Sequence, residues 1–268
     1  MKAIKHSLHI LIISLLTILT QVGGIIWILN FGYYKLRKSP KSKFFKGATF
    51  TLLYLTATLL IVPLLAKTNN RVPLPILKDK NLAPHNFITP LLNRHYVKPQ
   101  LKSELETISK ELNSKNNDIH VSYLDANFPF IDGFPLLPHL SHNDGRKIDL
   151  TFFYTFKGKE GNLKPSNSGY GKFVEPNLNE INQTNVCKSK GYWQYDYTKY
   201  LTLGSRDDLK FDLQTTKELV ALILNASSTQ KLLIEPHIKH RINISNDKIR
   251  FHGCHAVRHD DHIHYQIN

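Results

Sequence analysis

The sequence predicts an α+β domain built on a small central antiparallel sheet with flanking helices, preceded by two membrane-spanning helices. Three observations point there. Over residues 99–268, strand-like runs and helical runs are set apart and do not alternate regularly, which argues against a parallel α/β sheet. Two long apolar stretches lie before residue 67. No Asp or Glu occurs before residue 67 either, so the net charge of +14 divides into +8 for the first 66 residues and +6 for the rest.

The first apolar stretch, 8–29, is interrupted only by His9, Gln21 and small polar residues, and the second, 48–66, carries no charge. At ~1.5 Å per residue, ~20 helical residues cross a ~30 Å hydrocarbon core, so both qualify as spans. Lys2 and Lys5 precede the first as they would a signal peptide. Its apolar run is long and lacks a small-x-small cleavage site, however, so a retained helix is expected. Residues 1–66 thus form an anchor. The connecting segment 33–46 carries six basic residues, which the positive-inside rule keeps in the cytoplasm, with the remaining domain on the periplasmic side. By raw count the vote is tied, because Lys2, Lys5, Lys67, Arg71, Lys78 and Lys80 also number six. Much of the basicity flanks the apolar segments, so a nucleic-acid partner is not expected.

Residues 67–98 contain Pro73, Pro75, Pro84 and Pro90 without sustained periodicity and read as a linker. A helix is expected over 99–114, with Leu101, Leu105, Ile108 and Leu112 on one face and Pro99 in its first turn. Residues 119–124 alternate as a strand, 127–138 form a turn region rich in Pro and Phe, and 148–156 read as a central strand. A long polar loop follows over 157–190. Asp212 is the expected N-cap of a helix over 213–225. A short strand over 231–235, a helical turn after Pro236 and a closing strand over 261–268 complete the order.

Two clusters carry the chemistry: His139-Leu-Ser-His-Asn-Asp-Gly-Arg-Lys-Ile-Asp149 and His259-Asp-Asp-His-Ile-His264. In a strand, residues i and i+2 share a face, so His262 and His264 point into one site. His142 lies in the loop before a strand and Asp149 within it. Two histidines and one carboxylate form a recurrent ligand set for catalytic zinc that leaves a position open. Each cluster alone also fits surface histidines, and His237, His240, His252 and His255 receive no role. Cys187 and Cys254 are too few for a disulfide framework; an exported domain leaves both the paired and the free state open to them, and a cytosolic one keeps them reduced.

The run Ser141-His-Asn-Asp-Gly-Arg-Lys-Ile-Asp149 resembles the first metal motif of the lysostaphin, D-Ala-D-Ala peptidase and hedgehog superfamily. Within it, the chain is most similar to the penicillin-insensitive murein endopeptidases. A histidine three residues before the ligand matches His139, the closing H-x-x-H-x-H matches His259 to His264, and Leu232-Leu-Ile-Glu-Pro-His-Ile-Lys239 resembles a third segment. The resemblance covers roughly residues 99–268. It implies a zinc metallopeptidase domain there, with Zn2+ on His142, Asp149 and His264, His262 and His259 supporting catalysis, and peptidoglycan peptide as substrate. His139 and Asp261, with Asp260, are read as supports for the ligand imidazoles. The sequence departs from the family in having two apolar helices, few cysteines, Ala256-Val-Arg258 where aromatics are common, and an unfamiliar aromatic run, Tyr192-Trp-Gln-Tyr-Asp-Tyr197. That run fits either glycan stacking or a core edge.

Two other readings use the same residues. One is a D-Ala-type carboxypeptidase or dipeptidase on the same metal; the other is a membrane-anchored module that holds zinc without turnover. A residue placed as a base, His262, favours catalysis, since a purely structural site has no use for one.

Overall fold

The computed structural model describes residues 2–37, 42–116 and 119–268. Lys38 and Lys41 of the basic segment lie outside the described residues. The first apolar stretch is not one span. It divides at Gln21 and Val22 into α1 (Lys2–Thr20) and α2 (Gly23–Leu36), with Gln21 at φ 65°. The break follows from Gly23 and Gly24. A Cβ on Gly24 would lie 2.0 Å from the Thr17 hydroxyl oxygen, so only glycine lets the two helices fold back this closely. The pair is antiparallel, with Trp27 Nε1 donating to His9 Nδ1 at 3.2 Å. Among the described residues, one helix is long and apolar enough to cross a membrane: α3 (Lys43–Asn69).

These helices have a defined polarity relative to the rest of the chain. The tip between α1 and α2 meets the folded domain, where Gln21 Oε1 accepts from the Phe130 amide at 2.9 Å and the Thr20 carbonyl accepts from Asn93. The opposite end of α2 packs on the start of α3 through Tyr34 and Thr49 (2.7 Å) and through Asn30, which donates to the Lys46 carbonyl. The start of α1, the end of α2 and the start of α3 are therefore at the same end, away from the domain. Two simple spans would have put the N-terminus on the domain's side.

The expected linker is also folded. Val72–Pro73 pairs with Tyr96–Val97, β1 (Leu82–Pro84) joins the main sheet, and α4 (Ile88–Leu91) packs near α3, whose Tyr54 hydroxyl donates to the Leu91 carbonyl. The prolines serve as local punctuation: Pro84 ends an edge strand, where no ladder donor is needed.

The domain continues with α5 (Pro99–Lys115), β2 (Val121–Tyr123), β3 (Lys147–Thr151), α6 (Gln183–Ser189), α7 (Leu213–Asn225), β4 (Thr229–Leu233), α8 (Pro236–Ile242), β5 (Ile249–Arg250) and β6 (His262–Ile267). The sheet order is β5-β4-β6-β3-β2-β1. Its central pairs are antiparallel as expected, but the outer pairs β4–β5 and β1–β2 are parallel, making the sheet mixed. The cause is the connections: α8 lies between β4 and β5, and α5 between β1 and β2, and a helical crossover returns the chain in the same direction.

One face of the sheet presents Ile148, Leu150, Ile263 and Tyr265 to the core, covered by Leu101, Leu105, Ile108 and Leu112 of α5 and by Leu219, Val220 and Ile223 of α7. Burying each such side chain contributes about 1.5–3 kcal/mol. Asp212 caps α7 as expected, accepting from the Thr215 amide at 3.0 Å. The strand expected over 148–156 breaks after Thr151. The Phe153 amide there bonds to Thr216 of α7, and Tyr154–Phe156 turns into a separate small sheet. With the helices on one face, the other face is free to carry polar residues.

Candidate metal centre

That other face holds Asp149 and His264. They are direct partners in the antiparallel β3–β6 register, as His262 is with Thr151. His142 comes from the loop before β3, where a turn closed by the His142 amide on the His139 carbonyl (2.9 Å) precedes a segment pinned by Asn127. The three side chains converge. His264 Nδ1 lies 3.0 Å from Asp149 Oδ1 and 3.0 Å from His142 Nε2, and His142 Nε2 lies 3.2 Å from Asp149 Oδ1. All are buried, at 4%, 0% and 1% exposure for His264, Asp149 and His142.

The donor chemistry fits a metal ion. The His142 ring can donate from Nδ1 to the Ala126 carbonyl at 2.8 Å, which leaves Nε2 as a bare lone pair facing a carboxylate. Three donors on a tetrahedral ion with bonds of ~2.0–2.1 Å stand about 3.3 Å apart, close to the separations seen. The buried His142, Asp149 and His264 are thus arranged to hold a metal ion.

Electrostatics keep the donors in their binding forms. Burial raises the pKa of Asp149, but the surrounding imidazoles, His142 and His262 foremost, hold it well below the usual carboxylate range. Burial pushes His264 down to about 4, so it is neutral. The Tyr170 hydroxyl donates to Asp149 Oδ2 at 2.9 Å while accepting from the Asp125 amide at 3.1 Å; burial and the carboxylates of Asp125 and Asp149 raise its pKa well above normal, keeping it a donor.

The remaining expected site residues gather around this core. His262 Nδ1 bonds to Asp261 Oδ1 at 2.5 Å, and Asp261 Oδ2 accepts from the Gly171 amide at 2.6 Å. His262 Nε2 has no hydrogen-bond partner among the described residues and lies 3.7 Å from Asp149 Oδ1. Burial disfavours its charged form, yet Asp149 and Asp261 raise it to about 9. His259 sits with its ring 5.0 Å from that of His262; burial, then His262 and His264, push it well below its ordinary value. His139 is oriented by Asp125, Nδ1 to Oδ2 at 2.9 Å. Asp260 faces away, into an ion pair with Arg258.

Sequence reasoning missed three positioning residues. Tyr170 lay in the supposed loop; its signal was the flanking Gly169 and Gly171, both at positive φ. A Cβ on Gly171 would lie 2.2 Å from the Thr198 carbonyl oxygen. Glu235 accepts from the His259 amide at 3.0 Å and from the Tyr195 hydroxyl at 2.7 Å, fixing the strand entry that carries His259. Asp125 orients His139. The aromatic run is split accordingly: Tyr195 is buried structure, while Tyr197 lines the cleft above the site.

That cleft has a volume of about 330 Å3. Its wall is stapled by a disulfide between Cys187 of α6 and Cys254 in the loop bearing His252 and His255, which resolves the two states left open for these cysteines. No protein-family model matches the chain, and no curated protein matches its sequence. The functional reading therefore stands on the arrangement of these side chains and on three short motifs.

Proposed function

We propose that the chain is a zinc-dependent peptidase acting on peptidoglycan peptides, held on the outer face of the cytoplasmic membrane by its N-terminal helices. The observation that carries this reading is His262. Beside a three-ligand site stands a fourth imidazole, oriented by its own carboxylate, with Nε2 unpartnered among the described residues. A site meant only to hold an ion gains nothing from it.

Zinc on two imidazoles and a carboxylate polarises carbonyls and lowers the pKa of water to about 7. The chain's own groups do the rest. With Nδ1 committed to Asp261, His262 gains and loses its proton at Nε2, on the ligand side. In its cationic form it steadies negative charge on a carbonyl oxygen. His259, kept neutral, is the complementary partner: two neighbouring imidazoles with pKa values pushed apart divide acid and base roles. Asp149, His142 and His264 contribute lone pairs, and Tyr170 holds the Asp149 carboxylate in place.

The test is zinc content together with digestion of purified muropeptides by the native chain and by His262→Ala. New fragments from the native chain alone, with zinc retained by both, support the peptidase. Tight zinc in both and no fragments from either would leave only an ion-holding module.

The membrane placement is supported by helix polarity. Lys5, Lys35, Arg37, Lys43 and Lys46 belong to the end remote from the domain. Grouping Lys5 with the basic segment breaks the tied charge vote and favours a cytoplasmic location for that end. The disulfide fits an oxidising compartment for the domain. External protease that degrades the domain in spheroplasts supports this orientation; protection until lysis refutes it.

A further inference from the structure

The helix α3 meets the domain part-way along its length, where the Tyr54 hydroxyl donates to the Leu91 carbonyl at 2.7 Å. Beside that contact α3 and the domain enclose a groove of about 570 Å3. Leu55, Leu59 and Pro63 line it from the helix, and Ile76, Phe87 and Leu91 from the domain. Phe87 is 72% exposed and Leu59 50%, so the two walls leave an apolar patch of the kind that marks an interaction site.

Depth decides what covers it. At ~1.5 Å per residue, Leu55 lies about 18 Å and Pro63 about 30 Å along α3 from Lys43. With Lys43 at the cytoplasmic edge of a ~30 Å hydrocarbon core, that interval is the half belonging to the outer leaflet. The groove is then flanked by lipid tails and not by water, and a hydrocarbon chain supplies the dispersion contacts its walls lack.

We propose that the groove holds one acyl chain of a glycerophospholipid from the outer leaflet, with the lipid phosphate at Lys102. The proposal rests on the membrane placement of α3 and is independent of the peptidase reading. Charge supports the phosphate. Among the described residues lining the groove, Lys102 in the first turn of α5 is the one Lys or Arg, and none is Asp or Glu. Its Nζ lies 3.8 Å from Glu106, a long surface pair that leaves the ammonium able to meet an anion.

The test titrates the full chain in detergent micelles with dioleoyl phosphatidylglycerol and, separately, with dioleoylglycerol, and reads bound lipid by native mass spectrometry. One phosphatidylglycerol should bind saturably, about fivefold tighter than dioleoylglycerol, and Lys102→Gln should remove that difference. Leu59→Trp, which fills the groove, should weaken phosphatidylglycerol about tenfold. Leu60→Trp, one residue on, 63% exposed and outside the lining, should stay within about threefold of native. No saturable lipid, equal effects of the two tryptophans, an unchanged preference in Lys102→Gln, or lipid-free dimers that Leu59→Trp dissociates would overturn the proposal. The membrane placement fails separately: recovery of the chain in the soluble fraction without detergent refutes it, whereas a membrane-bound chain without this site loses only the lipid.

Discussion

His264 and Asp149 face one another across the β3–β6 ladder with Nδ1 3.0 Å from Oδ1, and the loop residue His142 completes the triangle from the side. Two of the three donors are thus fixed by strand register. A one-residue slip of β6 would place Ile263 or Tyr265 in the site and His264 in the core, so the hydrophobic alternation that folds the sheet also aims the ligands.

Removal of a ligand should therefore act on metal binding more than on folding. Asp149→Asn keeps the volume but removes the charge, and stoichiometric zinc should be lost. Tyr170→Phe removes the bond that holds the carboxylate, together with the acceptor of the Asp125 amide, and zinc affinity should fall about 10–100-fold in competition with a chromophoric chelator. Unchanged affinity in Tyr170→Phe would mean that Asp149 is oriented by its strand alone.

His262→Ala should retain the ion, since His262 is outside the ligand triangle, while muropeptide turnover falls about 10²–10⁴-fold. Asp261→Asn should give a smaller loss and shift the pH profile, because it removes one of the carboxylates that raise His262. Loss of zinc from His262→Ala would make it a ligand and not a proton carrier.

Much of this site was legible in the sequence because its residues fall in two short runs, each spanning a single turn or strand. Tyr170 and Glu235 were not, since each acts from a different element through one hydrogen bond, and such contacts leave no periodicity. The folded state of 72–97 was hidden because prolines mark turns and edges as readily as tethers. The hairpin of α1 and α2 was masked by uniform apolarity, although Gly23-Gly24 announced a close helix approach.

Gly171 makes that point testable. Its φ of +79° and the Thr198 carbonyl beside it leave no room for a methyl group. Gly171→Ala should cost roughly 1–3 kcal/mol and, by displacing Tyr170 and the amide that holds Asp261, weaken zinc binding too. A melting temperature and zinc affinity both equal to native would show that the turn yields freely.

Acid sensitivity should come from histidines away from the metal. Burial pushes His85 down to about 4, its Nε2 bonded to the Ser166 carbonyl, and His95 down to about 3. Both are neutral in the folded chain at neutral pH, while the unfolded chain takes up their protons near pH 6.5. Above pH 6.5 neither state is protonated and stability is constant. Between pH 6.5 and about 4 the unfolded state binds more protons, so stability falls with acid, by up to about 2 kcal/mol per histidine at pH 5. Melting of the zinc-free chain should drop between pH 7 and pH 5, and His85→Gln should flatten that dependence. A dependence unchanged in His85→Gln would mean that this ring carries its proton inside the fold.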